Sequence, residues 1–146
     1  MENLSPAERF RDNPNMLISD VSRTSLWLPK DSYGDLGKWI NWQEALSYVR
    51  LINSVYAGGF SDWRLPNKEE ALSLYDETLI NEDWSGEAVH IHPVFMKKCG
   101  NWIWVSDVDT AEGKALRLNL RDGALDYVDK DSRENMAARL LRTEKK

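Results

Sequence analysis

Gly58-Gly59-Phe60-Ser61-Asp62-Trp63-Arg64-Leu65-Pro66 is the stretch on which the reading of this sequence turns. Two glycines give the backbone freedom to enter left-handed conformations, and a proline fixes the exit. Between them a large aromatic and a guanidinium sit side by side, a pairing suited to a sharply turned, buried corner rather than a linker. Trp63 is expected as its buried wedge. Arg64 is expected to be buried with it, making a charge-assisted bond to a carboxylate or a carbonyl, while Asp62 caps the turn.

A helix signal stands on each side of this corner. Asn41-Trp42-Gln43-Glu44 has the form of a capping box, in which the Asn side chain takes one orphan N–H and the Glu reaches back to another. Behind it Ala45, Val49, Ile52 and Tyr56 share one helical face, which predicts a helix over 43–57 that ends in the left-handed residues Gly58 and Gly59. Asn67-Lys68-Glu69-Glu70 repeats the box and predicts a second helix over 68–77. Its acidic first turn suits the positive end of the helix dipole.

Most of the remaining order reads as strands. Met16 to Asp20 and Ser25 to Leu28 predict a hairpin or two edge strands closed by Pro29. Lys30 to Lys38 reads as a loop, and residues 78–101 as irregular with a short helical turn at 93–98. Trp102 to Ser106 alternates aromatic and aliphatic residues. Leu116, Leu118 and Leu120 alternate with Arg117, Asn119 and Arg121, as on a half-buried strand. Asp122-Gly123 is a hairpin turn, with Ala124 to Val128 returning. Residues 1–15 read as an N-terminal arm and 16–146 as a single domain of the α+β class.

Composition narrows the functional classes. The chain has 146 residues, enough for one domain with a real core, and carries seven tryptophans, enough for an aromatic core or a recognition surface. A net charge of −5 argues against a nucleic-acid partner. The basic residues Arg139, Arg142, Lys145 and Lys146 are expected to be solvated. Cys99 stands alone, which excludes an internal disulfide and a cysteine-only metal cage. No apolar run is long enough to span a membrane. The polar stretch from Met1 to Asp12 shows no secretory signal, so the plain expectation is a cytoplasmic protein.

Candidate chemistry is sparse. His90 and His92 would face one side of an extended segment and could share a metal with Glu87, Asp83 or Cys99, but no zinc spacing is present. Asp126, Asp129 and Asp131, and likewise Asp107 and Asp109, have calcium-ligand character without an EF-hand pattern, so calcium is the one cofactor kept open. No nucleophile elbow surrounds a Ser or Cys99, and Gly58-Gly59 follows a helix where a phosphate loop would precede one.

The corner motif, with Trp42-Gln43-Glu44-Ala45 before it and Glu69-Glu70 and Leu72-x-Leu74-x-Asp76 after it, resembles the C-terminal domain family of the Legionella collagen-like adhesin. Asp20 with Leu26-Trp27, Phe95 to Ser106, Ala115 to Gly123 and Ala138-Arg139-Leu140-Leu141-Arg142 are similar to its flanking strands. That places a strand at 138–142, where propensity alone leans helical. The resemblance implies a C-type-lectin-like fold with two helices packed around a twisted antiparallel sheet with long loops. It also implies a bacterial, periplasmic or extracellular binding module if a leader has been removed. The founding adhesin's domain binds sulfated polysaccharide as a trimer. A related branch generates formylglycine through paired cysteines, which a single Cys99 does not supply. Glycines usual near the family's opening are replaced here by Asn15-Met16 and Thr24-Ser25.

The expectation is therefore a non-catalytic module that binds a protein or carbohydrate. Trp42, Gly58, Gly59, Asp62, Trp63, Arg64 and Pro66 form its structural motif. Trp84, His90, His92, Lys97, Lys98, Trp102, Arg117 and Arg121 are its candidate binding residues. Lys97 with Lys98 and Arg117 with Arg121 are the groups for an anionic ligand. One alternative is a small metal-dependent or oxidative enzyme using His90 and His92. Another is a homo-oligomeric structural subunit with tryptophans between copies. A binding module should leave Trp84 or Trp39 exposed beside polar groups, an enzyme should bring the histidines to carboxylates, and an assembling subunit should show an apolar patch.

Overall fold

The computed structural model describes residues 5–144. In chain order the elements are α1 (Pro6–Arg9), β1 (Phe10–Asp12), β2 (Ile18–Asp20), β3 (Ser25–Trp27), α2 (Ser32–Leu36), α3 (Trp42–Ser54) and a 3-10 turn (Ala57–Gly59). They continue with α4 (Lys68–Leu74), β4 (Asn81–Glu82), β5 (Ala88–Val89), β6 (Trp102–Asp109), β7 (Lys114–Asn119), β8 (Leu125–Asp129), β9 (Met136–Ala137) and β10 (Leu141–Thr143). The class is α+β, and the pairing is mostly antiparallel.

Both capping boxes form. Asn41 accepts from the Glu44 N–H at 2.9 Å while Glu44 accepts from the Asn41 N–H at 3.0 Å, and Asn67 and Glu70 do the same at 2.8 and 2.9 Å. The first helix stops earlier than its apolar pattern predicts. Val55 leaves helical geometry and Tyr56 takes φ 52°, so the first left-handed residue is a tyrosine, ahead of Gly58 (φ 63°) and Gly59 (φ 91°). Tyr48, rather than the exposed Tyr56, joins Trp42, Ala45 and Ile52 on the buried face. Residues 30–38 are also not a plain loop. Asp31 caps α2 by accepting from the Gly34 N–H at 2.9 Å, and Gly37 ends it at φ 72°.

One sheet has the order β8-β7-β6-β9 and carries a core on each face. Ile103, Val105, Leu116 and Leu118 join Ala71 and Leu74 of α4, Trp27 and Phe95 on one side. Trp104 and Ala115 join Trp42, Ala45, Tyr48 and Ile52 of α3 on the other, together with Trp63, Leu65 and Leu140. The second sheet has the order β1-β2-β3-β10. The last segment serves both sheets, because β9 pairs parallel with β6 and β10 pairs antiparallel with β3. The described part of the N-terminal arm is built into the fold, since Phe10 is buried and β1 pairs with β2. Residues 93–98 form turns rather than a helix.

The corner does what its residues suggest, with one change. The Trp63 indole is buried and donates to the Ala57 carbonyl at 2.8 Å. Asn53 of α3 clasps the Trp63 backbone, accepting from its N–H at 2.8 Å and donating to its carbonyl at 2.9 Å. Arg64 is not locked inside with the indole. Its side chain is 41% exposed and makes a two-pronged pair with Glu70 at 2.6 and 2.8 Å. Asp62 accepts from Arg142, whose guanidinium also covers the Phe60 ring at 3.8 Å.

Arg139 and Arg142, expected to be solvated, are not. Arg139 is fully buried, 3.9 Å from the equally buried Asp31 and 5.0 Å from the Phe95 ring, and Arg142 is ion-paired. Lys145 and Lys146 lie outside the described residues. Met16 (φ 71°) and Thr24 (φ 56°) keep the left-handed backbone at the positions where the resembled family has glycine.

Candidate functional site

Short elements converge to build an aromatic row at the surface. Gly37 turns the chain so that Trp39 folds back on Tyr33, and the rings stack with centroids 3.9 Å apart and planes within 9°. Trp39 in turn meets Trp84 edge to face at 5.6 Å. Gly100 makes room for this. A Cβ there would stand 3.1 Å from the Trp39 ring and 3.1 Å from the Ala137 Cβ, so a side chain at 100 would displace the indole.

Trp84 is held out by a hairpin loop between β4 and β5. Its indole N–H donates to Asn101 Oδ1 at 3.0 Å, and its backbone N–H donates to the Cys99 carbonyl at 2.8 Å. The loop is bolted by Asp83, which is fully buried. One carboxylate oxygen accepts from the Ser85 N–H, the Ser85 hydroxyl and the Glu87 N–H at 2.8–3.0 Å. The other accepts from Arg121 Nε at 2.7 Å. Burial alone would raise the Asp83 carboxyl, but the bonds from Ser85 and Arg121 outweigh it and hold the group below its ordinary range. A buried carboxylate with this many donors fixes loop shape, and what the loop presents is Trp84, 38% exposed.

The expected binding residues do not form one cluster. Trp84 and Arg121 come together through Asp83. Trp102 and Arg117 share a neighbouring part of the sheet, reached through Asn101, which donates to Asn119 at 3.3 Å. There the Arg117 guanidinium covers the Trp102 ring at 3.5 Å and pairs with Asp126 at 2.8 Å, so neither is an open platform.

His90 and His92 do not face a common point. His90 Nδ1 meets the Leu79 carbonyl at 2.9 Å, and His92 Nε2 meets the Ala7 carbonyl at 2.8 Å while its Nδ1 accepts from the Val94 N–H. Among the described residues no three His, Cys, Asp or Glu side chains stand close enough to hold a metal ion. Lys97 lines a separate cleft of about 320 Å³ with Ile80, Glu82 and Pro93, and Lys98 is exposed. Burial pushes the Cys99 thiol up to about 11, away from nucleophile character.

Sequence reasoning missed Tyr33, Asn101 and the bolting role of Asp83. Only the turn chemistry of Asp83-x-Ser85-Gly86 hinted at the last of these. A second exposed apolar region runs off the end of α3, where Leu51, Val55 and Tyr56 are 48%, 63% and 64% exposed. Beside it Leu36, Ile40, Tyr48 and Leu51 line a groove of about 380 Å³. No helix among the described residues is long and apolar enough to cross a membrane.

Compared with known protein families, residues 16–142 match the model of the Lcl C-terminal domain. No curated protein and no solved structure matches.

Proposed function

The chain belongs to the Lcl C-terminal domain family, the collagen-like adhesin family its corner motif resembles, and on that premise we propose that it is a non-catalytic recognition module. Its ligand side is the Tyr33–Trp39–Trp84 row, and the partner is a carbohydrate or a protein met outside the cytoplasm. The observation that carries this reading is Trp84, an exposed indole whose loop is fixed from beneath by a buried carboxylate. Preorganised aromatics at a surface favour binding because little side-chain entropy is lost on contact. The architecture supports a C-type-lectin-like fold. Two capped helices flank a mostly antiparallel sheet, the final strand returns beside β3, and long irregular segments hang from that frame. Recognition in this reading uses no metal and no cofactor, and the histidines serve as hydrogen-bonding loop residues.

The test is capture of the full chain on an array carrying glycans and extracellular-matrix proteins, run beside Trp84→Ala. The expected result is capture by the wild type that the variant loses while keeping its thermal midpoint. Equal capture by both removes the aromatic row from the function.

The apolar run Leu51, Val55 and Tyr56 favours a second reading, in which copies of the chain associate through α3. Light scattering of the wild type against Leu51→Glu tests it. A monomer in both cases eliminates association.

A further inference from the structure

His92 joins two segments of the chain through both of its ring nitrogens. Nε2 lies 2.8 Å from the Ala7 carbonyl of α1, and Nδ1 lies 3.0 Å from the Val94 N–H. A carbonyl only accepts and a backbone N–H only donates, so these partners require a neutral ring with its proton on Nε2. We propose that His92 is a proton-operated latch. Neutral, it holds α1 against the domain; protonated, it lets α1 go, whatever the domain recognises.

No other bond does this job. Among the described residues the contact with His92 is the one hydrogen bond that ties residues 5–8 to the rest of the domain. The other bonds of that turn are internal, between Ser5 and Glu8. Firm attachment begins at Arg9, which donates to Asp20 at 2.9 Å and to the Ser73 carbonyl at 2.7 Å, and continues with Phe10 in the β1 ladder.

A second proton on the ring must go to Nδ1, where it meets the Val94 N–H head on. One of the two has to move, and the turn is the more firmly held. The buried Asn81 amide donates to the His92 carbonyl at 3.1 Å and to the Phe95 carbonyl at 3.0 Å. The Phe95 N–H closes the turn on the His92 carbonyl at 3.1 Å, and the Met96 N–H reaches the Pro29 carbonyl at 2.9 Å. The half-buried imidazole has only its two nitrogens and the Phe10 ring at 5.8 Å to hold it. It is therefore the ring that swings, leaving Ala7 and lifting from Phe10.

No neighbouring charge holds the protonated ring in place. The charged groups on the surrounding elements are Glu8 and Arg9 of α1, Arg11 and Asp12 of β1, Asp20 of β2, Asp76 after α4 and Glu82 of β4. Lys97 and Lys98 follow the turn, and Arg139 lies behind Phe95. Glu8 bends back to the Ser5 N–H at 3.1 Å, and Asp20 is taken by Arg9. Among the described residues no carboxylate forms an ion pair with the ring. An imidazole free of partners takes its second proton at about pH 6.5, so acid favours the released state. His90 is the built-in contrast. Its Nδ1 donates to the Leu79 carbonyl at 2.9 Å and its Nε2 has no protein partner among the described residues, so a second proton costs it no bond.

The test is nuclear magnetic resonance of the isotope-labelled full chain between about pH 7.5 and about pH 5. Long-range proton–nitrogen spectra of the imidazoles read the tautomers, and amide relaxation reads the order of α1. The expected result at the upper pH is a proton on Nε2 of His92 and on Nδ1 of His90. On acidification the order parameters of Ala7 and Glu8 should fall from the rigid range, about 0.85, to below about 0.6. That fall should track protonation of His92, while Phe10 and the residues beyond it stay ordered. His92→Phe, which keeps a ring over Phe10 and removes both nitrogens, should leave α1 loose at either pH. His90→Gln should leave the acid response unchanged.

A proton on Nδ1 of His92 at the upper pH overturns the latch. So does an α1 that stays ordered once His92 is protonated, or that is ordered in His92→Phe. Loss of the acid response in His90→Gln assigns it to the other histidine and overturns the proposal as well.

Discussion

Replacing Trp63 by alanine tests the corner most directly. Burying an indole removes about 150–250 Å² from water. At about 25 cal/mol per Å² that is roughly 4–6 kcal/mol, an upper figure because the unfolded chain already shelters part of its apolar surface. The bond to the Ala57 carbonyl adds about 1 kcal/mol. Collapse of the site and the retained Cβ return some of this, so the expected cost is about 4 kcal/mol. Urea unfolding followed by circular dichroism reads it. With a slope of roughly 2 kcal/mol per molar, the midpoint should fall by about 2 M with the slope unchanged. Trp63→Phe keeps most of the ring contact with α3 and loses the hydrogen bond, so it should cost about half as much. Asn53→Ala, which releases the Trp63 backbone without touching the indole, should cost about 2 kcal/mol. A loss below about 1 kcal/mol for the alanine variant would show that the indole does not hold the corner.

Three further outcomes are expected. Thr24→Gly should raise stability by about 0.5–1 kcal/mol, because a β-branched residue at φ 56° gives up more strain than glycine adds in chain entropy. A lower urea midpoint would contradict this. Gly58→Ala should cost about 2 kcal/mol and Gly59→Ala about 1. Both are left-handed, but only at 58 does a Cβ come within 2.9 Å of the Leu17 side chain. Equal costs would remove the Leu17 contact from the account. The Asp83 carboxyl is depressed, so its stabilisation is complete above its unfolded value near 4 and drains away as pH falls through the lower folded value. Asp83→Asn should be less stable at pH 7 and should lose less on acidification below about pH 4. Parallel acid limbs for the two proteins would refute the assignment.

Local chemistry carried most of what was legible in the sequence. The two capping boxes, the alternation in β7 and the Asp122-Gly123 turn each depend on residues within a few positions of one another, and each formed. The five-residue α2 was hidden because Gly34 interrupts it and it contributes only Ser32 to the buried set. The end of α3 was misplaced because Gly58-Gly59 is the stronger stop signal, while the chain breaks first at Tyr56 under tertiary constraint.

Arg139 reads as one of several surface cations. Its burial beside Asp31 depends on a contact between residues more than a hundred positions apart. The site was legible only in fragments for the same reason. Trp84 and Arg121 were nameable, but their link through Asp83, and the meeting of Tyr33, Trp39 and Gly100, depend on chain crossings that no local pattern encodes.

The segment 136–143 acts as a clasp shared by two ladders, lying against β6 with one end and β3 with the other. During synthesis neither ladder can reach its final membership until that clasp has left the ribosome, so the domain must wait for its closing residues before it locks. Contacts of such long sequence separation fold slowly. A chain halted just before Met136 would expose the inner edges of both ladders, and quality control would meet it as an open, aggregation-prone intermediate.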